Sequence, residues 1–167
     1  MFLKLTPDLY YKNFYDIKPE AIKSLGGKAV FVDLDGTLVS KDTKIPTTEV
    51  TNWINEIKSS GIEILILSNN CELRVRNFSK ELGIKYFFKA LKPSTKGFKR
   101  AFFGINSKFA KNEVVMIGDQ IYTDTLGARL FGAKSIYVEP IDSDDLYVKF
   151  RTNITEKPFL KKFKEII

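Results

Sequence analysis

The sequence predicts a three-layer, Rossmann-like α/β fold around a central parallel sheet of about five strands. Three observations carry that expectation. Short apolar runs rich in β-branched and aromatic residues recur from about Lys28 to Val138. The runs are apolar with little polar alternation, as strands covered on both faces are. One helix-length amphipathic segment separates most neighbouring runs, which in a parallel sheet makes right-handed crossovers.

In chain order the strands are "KAVFV", "IEILIL", "KYFF", "EVVMI" and "KSIYV". Between the first two, Val50, Trp53, Ile54 and Ile57 recur at helical spacing, opened by Pro46-Thr47 and closed by Ser60-Gly61. The next helix carries Val75, Phe78 and Leu82 and stops at Gly83. Another carries Phe98, Ala101 and Phe102 and stops at Gly104; the last carries Leu126, Leu130 and Phe131 and stops at Gly132. The order is βαβαβαβαβ. Residues 1–27 and the tail 142–167 fall outside this alternation, and "EKPFLKKFKEII" reads as a short terminal helix with Phe159, Leu160, Phe163 and Ile167 on one side. At 167 residues the chain reads as one domain, with its core at about 28–138.

Composition narrows the chemistry. There are no histidines, which removes Ser-His-Asp and Cys-His devices and every histidine-ligated metal site. Catalysis must then rest on carboxylates, lysines or hydroxyls. The single cysteine, Cys71, excludes an internal disulfide and fits a reducing compartment. No apolar stretch approaches the ~20 residues of a membrane span, so the chain is expected to be soluble and cytoplasmic. The net charge of +7 suits an anionic partner and equally suits plain solubility.

In an open parallel sheet, ligands bind beyond the carboxyl ends of the strands. The first strand ends in Asp33-Leu34-Asp35-Gly36-Thr37, the second in Ser68-Asn69-Asn70, the third runs into Lys92-Pro93, and the fourth ends in Gly118-Asp119 with Asp124 nearby. Carboxylates clustered at one edge repel each other, and a bound cation is the simplest way to keep them ionised. Hard oxygen ligands suit Mg²⁺ and a phosphate. Gly36 turns the backbone, Thr37, Ser68 and Asn69 offer hydrogen-bond donors to phosphate oxygens, and Lys92 adds positive charge. Taken singly, Ser68 or Asn69 reads as a helix cap, Lys92 as a solvated charge and Asp124 as support for the following helix.

"DLDGT", "SNN", "KP" and "GDQIYTD" resemble, in order and spacing, the four motifs of the haloacid dehalogenase (HAD) superfamily of phosphotransferases, over about Lys28 to Val138. The resemblance implies an aspartyl-phosphate mechanism: Asp33 as nucleophile and Asp35 as general acid and then base. It also implies that Asp33, the carbonyl of Asp35 and Asp119 hold Mg²⁺. Asp124 would support the metal's water shell or Lys92, and Ser68 and Lys92 would neutralise the transferring phosphoryl group. Cys71 opens a predicted helix beside the site, but Asn77 stands where a cysteine phosphatase loop would place arginine, and Cys71 is read as a bystander.

HAD phosphatases commonly insert a cap domain after the first motif or between the second and third; here neither interval has room for one. Closure of the site is then expected from a large substrate, a surface or another subunit. From Gly83 to Lys111 there is no acidic residue, while Lys85, Lys89, Lys92, Lys96, Lys99, Arg100, Lys108 and Lys111 interleave with phenylalanines; this reads as a basic rim suited to a polyanion or an anionic membrane. Among capless members the pattern is similar to the branch of subfamily IIIA that includes phosphatidylglycerophosphate phosphatases, though that branch often has asparagine where Gly36 stands. The resulting expectation is a Mg²⁺-dependent phosphomonoesterase acting on a phospholipid headgroup, with peripheral contact to an anionic membrane. Two others stand beside it: a phosphosugar or nucleotide phosphatase closed by a neighbouring subunit, and a basic nucleic-acid-binding module with vestigial carboxylates. No stacking motif supports the last.

Overall fold

The computed structural model describes residues 5–105, 108–141 and 145–164. Among the described residues, six strands form one wholly parallel sheet: β1 (Leu9–Tyr11), β2 (Ala29–Val32), β3 (Glu63–Leu67), β4 (Lys85–Phe87), β5 (Val114–Gly118) and β6 (Lys134–Val138), in the order β1-β6-β5-β2-β3-β4. Phe31 lies in register with Leu65 on one side and Met116 on the other, so β2 is central. Alternation along it sends Val30 and Val32 to one face and Ala29 and Phe31 to the other.

Five of these strands are the expected ones. The sixth, β1, corrects the expectation that residues 1–27 stand outside the alternation: Tyr10 pairs with Tyr137 at the edge of β6. The physical reason is the outer edge of β6, whose amides and carbonyls need partners. Asp8 fastens the entry, accepting from the Ser135 N–H at 2.8 Å and pairing with Arg129 at 3.0 Å.

Helices cover both faces. On one lie α1 (Pro19–Ser24), α2 (Thr48–Ser59) and α3 (Glu72–Leu82); on the other lie α4 (Thr95–Gly104) and α5 (Leu126–Phe131). Thr47 caps α2 by accepting the Val50 N–H, and Val50, Trp53, Ile54 and Ile57 are buried as their spacing predicts. The Trp53 indole donates to the Ile17 carbonyl at 2.8 Å, tying the N-terminal residues to this layer. In α5 the expected stripe is incomplete. Leu130 is half exposed, because a wider π turn (Ile121–Thr125) precedes the helix and shifts its phase, so that Gly127, Ala128 and Phe131 face the core.

The tail is more helical than expected. It begins with α6 (Leu146–Arg151), capped by the Asp145 carboxylate, continues through a π turn (Thr152–Glu156) and ends in α7 (Lys157–Lys164). Leu160 packs with Ile121 and Tyr137, with Phe159 beside them; the Phe163 side chain and Ile167 fall outside the description. Between Asp33 and Ser68 the chain forms one loop, α2 and β3, and between Ser68 and Lys92 it forms α3 and β4, so neither interval holds an inserted domain. No helix among the described residues is long and apolar enough to cross a membrane.

Candidate active site

Parallel strands bring the four polar segments to one edge. Asp33 follows β2 and its N–H donates to the Ile117 carbonyl of β5 at 2.9 Å, which fixes where its side chain departs. The Lys92 Nζ, almost wholly buried, lies 2.9 Å from Asp33 Oδ1 and 2.7 Å from Asp124 Oδ1. Lys92 is positioned through its backbone. The Asn69 side-chain amide brackets it, accepting the Lys92 N–H at 2.8 Å and donating to the Lys92 carbonyl at 3.1 Å. The Lys89 and Ala90 N–H groups donate to the Asn70 and Ser68 carbonyls, so the loops after β3 and β4 form one unit.

On the other side of Asp33, the Thr37 hydroxyl donates to Asp119 Oδ1 at 2.9 Å and accepts the Asp119 N–H at 3.1 Å. Gly36 makes this approach, with φ at +87°, and a Cβ there would meet Asp119 Oδ2 at 2.9 Å. Gly118 has a similar part, since a Cβ on it would fall 2.2 Å from Asp124 Oδ2. Asp124 also accepts the Gln120 N–H at 3.1 Å.

Asp33, Asp119 and Asp124 each offer a carboxylate oxygen, all within 4.8 Å of one another, and all three residues are buried. Burial is the main cause that pushes each of them up, Asp33 to about 6; Lys92 pulls against this for Asp33 and Asp124, and Arg151 for Asp119. Lys92 is itself raised: burial works against its charge, but Asp124 and Asp33 outweigh burial. A dense set of hard oxygen donors, costly to ionise unaided, fits a divalent cation.

Sequence reasoning missed several residues of this edge. Asp35 bonds Asn70 Nδ2 at 2.9 Å and Arg74 at 2.8 Å, and the same guanidinium donates to the Ser40 and Thr43 carbonyls, pinning the loop after Asp35. Arg151, from α6, donates to Asp119 Oδ2 at 2.8 Å, and the buried Glu156 carboxylate accepts the Ile121 N–H at 2.7 Å. Arg74 carried a weak signal, since it stands one turn into the helix that follows the second motif. Arg151 carried none, as a basic residue in a short helix looks like surface. Ser68 is buried, its hydroxyl accepting the Asn70 N–H at 3.1 Å, while Cys71 is exposed at the start of α3.

These residues line an open cleft of about 350 Å³ in which Asp33, Asp35, Ser68, Asn69, Lys92 and Lys41 face one another. The basic stretch does not surround it as expected. Lys89, Lys92 and Lys96 stand at this edge, but Lys85 opens β4 at the opposite edge, and α4 carries the chain back there to Lys108 and Lys111. There Lys85 donates to the Gly104 carbonyl and Lys111 lies over the Phe131 ring.

A family model described as mitochondrial PGP phosphatase matches residues 3–141. The chain belongs to this family. The phosphatase is also 39% identical over 158 residues to probable phosphatase YqeG of Bacillus subtilis (strain 168), covering 95% of this chain and 91% of that protein. Among solved structures it resembles the cobalt-bound deoxy-D-mannose-octulosonate 8-phosphate phosphatase of Haemophilus influenzae (TM-score 0.54, 17% identical, 80% of this chain and 78% of the other). It also resembles an uncharacterized protein from Listeria monocytogenes serotype 4b (TM-score 0.55, 18% identical, 66% and 77%). At such identities these two speak to the fold alone. The sequence relatives make the chain a phosphatase, and its fold is the Rossmann-like one that the HAD motifs imply.

Proposed function

We propose that the phosphatase hydrolyses a phosphomonoester through a covalent phosphate on Asp33, and that the ester is a phospholipid headgroup such as phosphatidylglycerophosphate. The observation that carries the chemistry is the Asp33 carboxylate, lining the cleft with one oxygen on Lys92 and clustered with Asp119 and Asp124. Asp33, Asp119 and the Asp35 carbonyl are the groups that would hold Mg²⁺, with Asp124 supporting them and Lys92. Bound there, the ion supplies charge neutralisation and Lewis-acid polarisation of the phosphoryl oxygens.

The chain's own groups do the rest. An Asp33 oxygen attacks phosphorus and the ester P–O bond breaks, while Lys92 and the Ser68 and Asn69 side chains neutralise and orient the phosphoryl oxygens. Asp35 gives its proton to the departing alkoxide; it then takes one from the water that attacks phosphorus, which releases phosphate and restores Asp33. Asn70 holds one Asp35 oxygen and Arg74 the other, which orients the carboxyl group and leaves lone-pair capacity for the ester oxygen or the water. The lipid assignment is supported by the PGP phosphatase family match and by the open, uncapped cleft.

Phosphate release from phosphatidylglycerophosphate and from a panel of soluble esters tests both parts. Asp33→Asn is expected to abolish turnover of every ester while the fold survives; wild-type rates in that variant would remove the nucleophile. Equal efficiency on phosphosugars and on the lipid phosphate would remove the lipid assignment.

A further inference from the structure

Exposed apolar side chains are distributed unevenly over this molecule. Of the twelve large hydrophobic residues exposed among the described residues, ten stand in segments that follow the carboxyl end of a strand, on the edge that holds the cleft. Only Phe103 and Leu130, at the far ends of α4 and α5, stand at the opposite edge. Lone exposed apolar residues need no explanation, but a collection of them around an open site does.

The densest part is α6. Leu146, Tyr147, Phe150 and, in the following turn, Ile154 are 84%, 68%, 65% and 57% exposed. At 3.6 residues per turn Leu146, Tyr147 and Phe150 fall within an arc of about 100°, and Ile154 follows in the π turn. The inward side carries Val148, which is buried, and Arg151, whose bond to Asp119 anchors the helix beside the cleft; Glu156 repeats the anchor on the Ile121 N–H. The apolar face is thus held next to the site and exposed to solvent.

We infer that this face docks on an anionic lipid bilayer, with Leu146, Tyr147, Phe150 and Ile154 entering the headgroup boundary and the cleft opening toward the surface. Charge selects the occupant. Outside the cleft's own carboxylates, exposed Lys41, Lys44, Lys89 and Lys96 on the segments that line the cleft, with Lys149 on α6 and Lys157 after it, outnumber exposed Asp42, Glu72 and Asp145, the acid that caps α6, and the whole chain carries +7. Apolar anchors beside lysines match the two attractions of an interfacial element, burial in the acyl boundary and pairing with anionic headgroups. The site of docking rests on the lipid-headgroup reading above, and it replaces the Phe-rich stretch 82–112 as the contact, since half of that stretch lies at the other edge.

The test compares the full chain with a variant carrying Leu146→Ser, Tyr147→Ser, Phe150→Ser and Ile154→Ser, all exposed positions outside the catalytic groups. Wild type is expected to sediment with vesicles of equal parts phosphatidylglycerol and phosphatidylcholine, less so as salt rises, and not with phosphatidylcholine alone. The variant is expected to lose at least tenfold in vesicle affinity and in hydrolysis of vesicle-borne phosphatidylglycerophosphate, yet to keep wild-type rates on a soluble ester. Failure of the wild type to sediment, or equal sedimentation of the variant, overturns the docking face even if the lipid phosphate is a good substrate in detergent. A wild type that is dimeric in solution and monomeric after the four substitutions overturns it too, by showing that the face meets a second copy. Vesicle binding that depends on the four residues, with no turnover of the lipid phosphate, leaves the docking face standing and removes only the substrate.

Discussion

Replacing Lys92 by methionine keeps a side chain of similar length and removes the ammonium from between Asp33 and Asp124. Both contacts are short, 2.9 and 2.7 Å, and all three side chains are at most 9% exposed. Truncating one partner of a buried ion pair typically costs about 3–5 kcal/mol, because the other is left charged and unsolvated. Here one ammonium serves two carboxylates, so the upper end, about 5 kcal/mol, is the expectation for the metal-free protein near pH 8. The sign with pH follows from the acids. Without Lys92 their folded-state pKa values climb further above the unfolded ones, and a raised carboxylate penalises folding only where it is ionised. The deficit is therefore largest above the folded pKa values and disappears below the unfolded pKa of about 4. Urea denaturation in a chelator, followed by the fluorescence of buried Trp53, the sole tryptophan, reads it directly. At about 2 kcal/mol per molar urea the midpoint should fall by roughly 2.5 M. A loss below about 1 kcal/mol, the size of an exposed pair, would refute the picture of a lysine shared by two buried acids.

Asp33→Asn should act in the opposite sense on stability. Because burial raises this carboxyl from its ordinary range to about 6, neutralising it should stabilise the metal-free protein by about 2–3 kcal/mol near pH 8, visible in thermal melts; a net loss would contradict the crowding. Arg151→Gln frees Asp119 Oδ2 from a guanidinium that competes with a cation, so titration calorimetry should show several-fold tighter Mg²⁺ binding, while weaker binding would make Arg151 an organiser of that carboxylate. Gly36→Ala and Gly61→Ala share a positive φ, +87° and +83°, but a Cβ at Gly61 meets nothing within 4 Å. Melting both should show the shared backbone cost of about 1–2 kcal/mol, with an added loss for Gly36→Ala from crowding Asp119; equal losses would mean that Gly36 serves the turn alone.

Five strands were readable because each is a run rich in β-branched and aromatic residues, four of them buried almost throughout, and the helices between them announced their ends by Gly83 and Gly132, both in left-handed backbone at the helix stop. The edge strand Leu9–Tyr11 was not readable. It is three residues long, each partly exposed, and its existence depends on β6 rather than on its own pattern. Motif position also anticipated which residues meet at the carboxyl edge, since the backbone of a parallel sheet dictates that meeting. What side chains do once there is tertiary: Arg74 reaching from α3 to Asp35, or Arg151 from the tail to Asp119, has no local period to betray it. The basic rim failed for the complementary reason, because neighbours in sequence are carried to opposite ends of the sheet by a single helix.

The edge strand also governs what truncation does. With residues 5–11 in place, one margin of the sheet is plugged, and the other ends in β4, only three residues long and led by an exposed lysine, a poor template for recruitment. Trimming the chain to the stretch that carries the four motifs would strip β6 of its hydrogen-bonded neighbour along Ile136 to Val138. Such a minimal fragment is expected to polymerise edge to edge through that bare flank, so the leader segment works as a stopper against self-association.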